Sequence, residues 1–210
     1  MAAPLPPDYF ARQDDSDDAL FYLQPRKVVH IDDDAIKALT DQFAHILPTG
    51  GVYLDLMSSW RSHLPESLKP ARVIGVGMNG DEMTDNPQLS KHVIQNLNTS
   101  PALPFEDASF DAAVCTVSVQ YLTRPVEVFR EVSRVLKPDA PFVVSFSNRC
   151  FPTKAVAVWQ ATSDQQHMAL VVRYFEDAGG WKDITAWAFP GNKKWIGTSD
   201  PLFIVWAKRA

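Results

Sequence analysis

Apolar runs and polar turns alternate in the middle of the chain with the spacing of a strand, a helix and a second strand. Residues 110–119 are an apolar run broken only by small polar residues, which predicts a strand buried on both faces of a parallel sheet. Thr123 and Pro125 suit the N-cap and the first turn of a helix, and Pro138 ends it. Residues 141–146 predict the next strand. A helical crossover between two such strands makes them parallel, and crossovers of this kind are right-handed.

The flanking segments continue this pattern on both sides. Asp32 to Asp34 place acidic residues at the start of a helix, where they suit its dipole, and apolar residues then recur at three- and four-residue intervals. Residues 52–56 predict a central strand. The remaining predicted elements are a second strand over 72–80, a short helix over 82–89, a third strand over 93–96, helices at 155–159 and 165–175, and an antiparallel hairpin of 184–189 with 202–207. We therefore predict a doubly wound α/β fold with a mostly parallel seven-stranded sheet and a C-terminal antiparallel hairpin.

The first thirty residues differ from the rest in composition. They are rich in Pro and Asp, and we interpret residues 1–31 as an N-terminal arm before a domain at 32–210. Asp8-Tyr9-Phe10 is a candidate docking element, although two aromatic residues in a polar arm more often pack on the nearest surface.

One segment carries a family resemblance. Leu103-Pro-Phe-x-Asp-x-Ser-Phe-Asp111, the strand that follows it, and the helix that ends Val135-Leu-Lys-Pro138 resemble the class I S-adenosylmethionine-dependent methyltransferases, in particular the type 11 group. The resemblance implies a Rossmann-like methyltransferase fold, S-adenosylmethionine as the cofactor, and methyl transfer to a small molecule. It covers residues 33–210 in layout and about 93–147 in specific motif. Since the methyl group of the cofactor is already activated, alignment supplies most of the catalysis and no dedicated catalytic residue is required.

Two cofactor-binding features of that family are altered here. The glycine-rich loop expected after the first strand is replaced by Met57 to Arg61, without a glycine, and the acid that binds the ribose is replaced by Gly77. Asp81 and Glu82 are alternative acids, although they are expected to start the next helix. By position in the family pattern, we expect the cofactor to contact Asp55, Met57, Ser58, Ser59, Gly77, Met78, Asn79, Asn96, Leu97, Val117 and Ser118.

The substrate should lie beyond the carboxyl ends of the same strands, where open α/β sheets bind ligands. Candidate substrate-binding groups are Trp60, His63, Tyr121, Arg149 and the N-terminal arm. Each has an ordinary structural alternative: an aromatic residue commonly packs in a core, and a lone histidine is weak evidence for a base. Arg149 would pair with an anionic substrate.

Net charge, motifs and cysteine content exclude several classes of protein function. The net charge of −5 argues against a general nucleic-acid surface, and no apolar window is long enough to cross a membrane. The chain has no zinc-type spacing of Cys and His, no phosphate-binding loop and no nucleophile elbow. Two cysteines, no disulfide framework and no apolar leader favour a cytoplasmic protein.

The altered loop leaves a rival hypothesis open. In this hypothesis the fold has persisted while cofactor binding was lost, which leaves a binding or scaffolding module with a protein partner. A third hypothesis is an enzyme that uses the pocket for another ligand. The loop 57–63 discriminates between them. If Trp60 fills the adenosyl pocket, the scaffold is favoured, whereas an open pocket lined by Ser58, Asn79 and Asn96 favours the enzyme.

Overall fold

The computed structural model describes residues 5–195 and 197–210. It contains a seven-stranded sheet with helices on both faces, as the sequence predicts. The strands are β1 (Val52–Leu56), β2 (Arg72–Gly77), β3 (Lys91–Ile94), β4 (Ala112–Thr116), β5 (Pro141–Phe146), β6 (Trp181–Phe189) and β7 (Leu202–Arg209). The α-helices are α1 (Asp18–Phe21), α2 (Asp33–Ile46), α3 (Gly80–Thr84), α4 (Pro125–Val135), α5 (Ala157–Gln160) and α6 (Asp164–Ala178).

The strand order is β3-β2-β1-β4-β5-β7-β6. The first five strands in this order pair in parallel, and β7 pairs antiparallel with both β5 and β6. The strand order therefore reverses between β1 and β4: β2 and β3 lie on one side of β1, and β4 and the later strands lie on the other. In open α/β sheets, ligands bind beyond the carboxyl ends of the strands at such a reversal.

Both faces of the central strands are buried. In β1, Leu54 and Leu56 belong to the core that contains α4 and α6, whereas Tyr53 packs in the core on the opposite face with α2. All three side chains are fully buried. Alternating residues of a strand point to opposite faces, so a continuously apolar strand is what a sheet covered on both sides requires.

The predicted helices form where caps and apolar faces coincide. Asp32 caps α2, and its carboxylate accepts a hydrogen bond from Ala35 N at 3.1 Å. The predicted apolar positions Leu39 and Phe43 are fully buried on this helix. Such a cap satisfies one of the otherwise unpaired amide groups of the first turn.

Several predicted boundaries are wrong. Arg124, not Thr123, is the N-cap of α4, and its side chain makes no capping bond. β2 ends at Gly77 because Asn79 caps α3 and accepts a hydrogen bond from Glu82 N. β3 lies two residues earlier than predicted, and α3 ends at Thr84. Between β1 and β2 the only described helix is a single 3-10 turn, Glu66–Leu68.

Candidate functional site

A cavity of about 920 Å³, including its open mouth, lies at the carboxyl ends of β1, β2, β3 and β4. The cavity is lined by Met57, Ser58, Ser59, Gly77, Met78, Asn79, Asn96, Leu97, Val117 and Ser118, and also by Arg12, Asp18, Tyr22, Arg26, His30, Glu82, Gln95, Asn98, Thr116, Tyr121, Leu122 and Phe151. The first group contains every predicted cofactor residue except Asp55.

The backbone around this cavity takes the conformation that glycine usually supplies. Met57, directly after β1, has φ 55°, and Val117, directly after β4, has φ 51°. Left-handed backbone is uncommon for any non-glycine residue and is an outlier for a β-branched one. Strained residues of this kind concentrate at binding sites. The turn geometry at the end of β1 is thus present without the glycines.

The loop without glycine after β1 and the missing acid at position 77 are two parts of one structural change. Ser58 N donates to the carbonyl oxygen of Val76 at 2.8 Å, which draws the loop onto the end of β2. A Cβ atom at Gly77 would lie 2.3 Å from the Ser58 carbonyl oxygen. The loop therefore occupies the place where a side chain at position 77 would begin, and only glycine fits there.

Asp55 lies beneath the cavity and holds this loop from below. Its Oδ2 atom accepts hydrogen bonds from the hydroxyls of Ser58 and Ser62, each at 2.6 Å. Burial raises the pKa of Asp55 to about 6 despite these two bonds. Asn86 donates to Ser62 Oγ and to the Ser59 carbonyl oxygen, which extends the network. The acidic position of the family pattern therefore supports the loop in this structure.

Glu82 supplies a carboxylate at the cavity wall, in the first turn of α3. One of its oxygens accepts from the hydroxyl of Ser59 at 2.6 Å, and the other accepts from the main-chain N of Arg26. It was named as an alternative acid from the sequence, and the structure places it beside Gly77 and Asn79 in the cavity lining. Glu82 thus links the loop after β1 to the N-terminal arm.

The loop leaves the main cavity open. Trp60 turns away from it: its Nε1 donates to the Val28 carbonyl oxygen at 2.9 Å, and the guanidinium of Arg61 lies 3.9 Å over its ring. Trp60 and His63 line a second cavity of about 440 Å³ on the other side of the loop. Burial lowers the pKa of His63, which keeps the imidazole neutral at pH 7. This arrangement is the open alternative of the two weighed from the sequence.

The N-terminal arm forms one wall of the cavity. Asn79 donates to the Tyr22 carbonyl oxygen at 2.8 Å, and Asn98 donates to Asp18 Oδ2 at 3.0 Å. Lys154 is completely buried, and its Nζ lies 2.8 Å from the Ser16 carbonyl oxygen and 3.3 Å from Asp18 Oδ1. These bonds run from loops after β2, β3 and β5 into the arm, so they fix it over the strand ends. Phe10, from the predicted docking element, packs on Tyr174 instead, with 6.2 Å between the ring centroids.

The two remaining substrate candidates fall in different places. Tyr121 lines the main cavity, and its hydroxyl accepts from Phe151 N at 2.9 Å. Burial raises the pKa of Tyr121 to about 12, so the phenol is neutral at pH 7. Arg149 pairs with Asp200 at 2.9 Å and is 64% exposed, and it is not among the described residues that line either cavity.

Comparison with known proteins gives one family and many structures of similar fold. Residues 61–144 match the type 11 family model described as a methyltransferase domain. The biotin biosynthesis bifunctional protein BioHC of Teredinibacter turnerae is 31% identical over 83 residues, which are 39% of this chain and 15% of that relative's length.

Solved structures match over most of the chain. A SAM-dependent methyltransferase of Thermotoga maritima superimposes with a TM-score of 0.60 at 15% identity, over 84% of this chain and 90% of the other. A SAM dependent methyltransferase of Aquifex aeolicus gives 0.57 at 16% identity, over 92% and 97%. The family model thus matches 84 of the 210 residues, and the chain shares the fold of these SAM-dependent methyltransferase structures. The resemblance drawn from residues 103–138 is confirmed, as is the predicted fold class.

Sequence reasoning missed most of the cavity wall that comes from outside the family motif. Arg12, Asp18 and Arg26 of the arm, and Phe151 after β5, line the cavity although only the arm as a whole was named. A cluster of aromatic and basic residues in an otherwise polar arm was the available signal.

Among residues 5–195 and 197–210, no group of three or more acidic, His or Cys side chains is placed to hold a metal, and no helix is long and apolar enough to cross a membrane.

Proposed function

We propose that the protein transfers a methyl group from S-adenosylmethionine to a small molecule. The observation that carries the proposal is the open cavity at the reversal between β1 and β4, lined by the residues that the family pattern assigns to the cofactor. A loop without glycine was the main objection, and the backbone at Met57 meets it by taking the left-handed conformation.

The cavity lining offers hydrogen-bond donors and acceptors and an apolar side chain that support binding of the cofactor. Asn96 and Leu97 lie at the end of β3, where an amide and an apolar side chain would hold the adenine ring. Asn79 and Glu82 would take the ribose hydroxyls, so that Glu82 replaces the acid missing at Gly77. Thr116 Oγ1 is buried at the end of β4, has no hydrogen-bond partner among the described residues and lines both cavities. Buried polar groups are normally paired, so Thr116 would gain a partner from a bound ligand.

The chain's own contribution is alignment and exclusion of water. When bound, the cofactor supplies an activated methyl group on a sulfonium. The arm covers the strand ends and, with Tyr121 and Phe151, bounds the space that a methyl acceptor would occupy. Holding two reactants in line replaces a bimolecular encounter, an effect worth roughly 7–11 kcal/mol of the barrier in well-oriented systems. We assign no general base.

The same contacts support a role for the N-terminal arm. We propose that residues 1–31 act as a cover for the domain at 32–210 and are held to it through Asn79, Asn98 and Lys154. We also propose a cytoplasmic protein, in keeping with two free cysteines of which Cys115 is buried. The open cavity disfavours the scaffold hypothesis, because lost cofactor binding removes the constraint that keeps such a space lined by polar groups.

Calorimetric titration with S-adenosylmethionine and S-adenosylhomocysteine tests the proposal. We expect saturable binding with one site per chain. Asn96→Ala should weaken the affinity by roughly tenfold, as for one lost hydrogen bond of about 1.4 kcal/mol. Asn192→Ala, in the connection between β6 and β7 and outside the lining of the main cavity, is the matched control. No heat, together with no rise in melting temperature at millimolar ligand, would refute cofactor binding.

A further inference from the structure

We propose that the methyl acceptor carries a carboxylate, which Arg26 of the N-terminal arm binds, beside a flat apolar body that packs on aromatic rings. This inference rests on the proposed function and specifies its substrate class.

The side chain of Arg26 is held by aromatic rings. Its Cζ atom lies 4.3 Å from the ring centroid of Phe21, 5.9 Å from that of Tyr22 and 5.5 Å from that of Phe151. Guanidinium groups stack favourably on such rings. Stacking occupies the faces of the guanidinium and leaves its N–H donors, which point outward in its plane, for a hydrogen-bond acceptor.

No acceptor for these donors is present among the described residues. Within residues 5–195 and 197–210, the side chain of Arg26 enters no ion pair, and its buried Nη1 atom has no hydrogen-bond partner. The neighbouring acid, Glu82, meets only the main-chain N of Arg26. By contrast Arg12, the other arginine in the cavity lining, has its Nη1 2.7 Å from Asp18 Oδ1. Arg26 is therefore a half-buried cation at the cavity wall without a counter-ion in the described part of the chain, and an anionic ligand would supply one.

The position of Arg26 favours the acceptor over the cofactor as the source of that anion. Phe151, on which Arg26 packs, follows β5 and stacks on Tyr121, with 6.0 Å between the ring centroids. The residues assigned to the cofactor follow β1 to β4 instead. Arg26 thus belongs to the side of the cavity built from the arm and from the β5 loop, where the acceptor is expected.

The chemistry of the surroundings specifies the class. A guanidinium presents a planar fork that matches a carboxylate with two parallel hydrogen bonds. Phe21 and Phe151 contact the guanidinium, and Tyr121 stacks on Phe151, so rings on which a flat apolar group would stack lie beside it. Arg149, the cation predicted from the sequence for this role, already has a partner in Asp200.

Paired carboxylates and amides test the inference on the whole protein saturated with S-adenosylhomocysteine. We would titrate benzoate against benzamide and cinnamate against cinnamamide, and measure affinity by calorimetry and by the shift in melting temperature. We expect at least one carboxylate to bind tenfold or more tightly than its amide, with an affinity that falls as salt rises. Arg26→Gln should abolish the difference and leave the affinity for S-adenosylhomocysteine within about twofold. Arg149→Gln is the matched control and should change neither.

Three outcomes separate the alternatives. If neither carboxylate is preferred over its amide at tens of millimolar in the wild type, the inference is wrong. If Arg26→Gln weakens S-adenosylhomocysteine tenfold and spares methylthioadenosine, which lacks the amino-acid end, Arg26 binds the carboxylate of the cofactor and the inference is again wrong. If the wild type binds no adenosyl ligand, the proposed function fails, and the same carboxylate and amide pairs on the unliganded protein still decide the role of Arg26.

Discussion

The contact between Gly77 and the loop after β1 predicts that restoring the family's acid would damage this protein. In Gly77→Ala, the new Cβ would lie 2.3 Å from the Ser58 carbonyl oxygen and 3.0 Å from Met83 Sδ. Real Cβ atoms do not approach a backbone oxygen so closely, so the loop must move and its bond to Val76 must lengthen. Overpacking of this kind costs about 1–3 kcal/mol of the free energy of unfolding. At roughly 2–4 °C per kcal/mol for a chain of this size, the melting temperature should fall, and Gly77→Asp should lower it further.

Gly80→Ala provides the control for this experiment. Its Cβ would meet only the end of the Ile94 side chain, at 3.0 Å, and that side chain is 66% exposed and free to turn. Because position 80 begins α3, alanine should be neutral or stabilise the protein by a few tenths of a kcal/mol. Thermal unfolding and titration with S-adenosylhomocysteine would be measured on all three variants. If Gly77→Ala unfolds within about 0.5 kcal/mol of the wild type, or if Gly77→Asp binds the ligand more tightly, the coupling between the loop and position 77 is refuted.

Three further predictions follow from buried polar groups. Burial raises the pKa of Asp55 from 3.8 to about 6. The protonated carboxyl therefore contributes to the free energy of unfolding below about pH 4, and this contribution is lost as the pH rises through 6. Urea unfolding should show this fall in stability with pH in the wild type and lack it in Asp55→Asn. Lys154→Met removes the fully buried cation that holds the arm, so trypsin should release the arm faster than from Lys208→Met, and equal rates would contradict this. Burial raises the pKa of Cys115 to about 12, so a thiol reagent should modify only Cys150 in the folded protein and both cysteines in guanidinium; rapid loss of both thiols from the folded protein would show that Cys115 is accessible.

Local pattern was sufficient for most of the sheet. β1 and β5 begin and end where their apolar runs do, because strands buried on both faces need continuous apolar residues. The third strand was misplaced by two residues because β3 lies at the sheet edge, where exposed Lys91 and Ile94 give no apolar run. Thr123 was the better capping residue by type, yet the helix begins one residue later, after Arg124. Thr123 N donates to Asn98 Oδ1 at 2.8 Å, which ties Thr123 to the loop after β3.

The sequence by itself determined the fold, the family resemblance and the edge of the sheet where the cavity lies, since these depend on period, apolar content, local motif and strand order. Only the tertiary structure decided whether the cavity is open. The opening depends on the course of the loop from Met57 to Trp60 relative to Gly77, and the loop and Gly77 are about twenty residues apart in the chain. The tertiary structure also decided which of the arginines Arg26 and Arg149 has a counter-ion. Nothing in the local sequence shows that Arg149 has a counter-ion in Asp200 and that Arg26 has none among the described residues. Charge pairing depends on distances through space, and those distances are set when the arm and the loops after β3, β5 and β6 come together at one edge of the sheet.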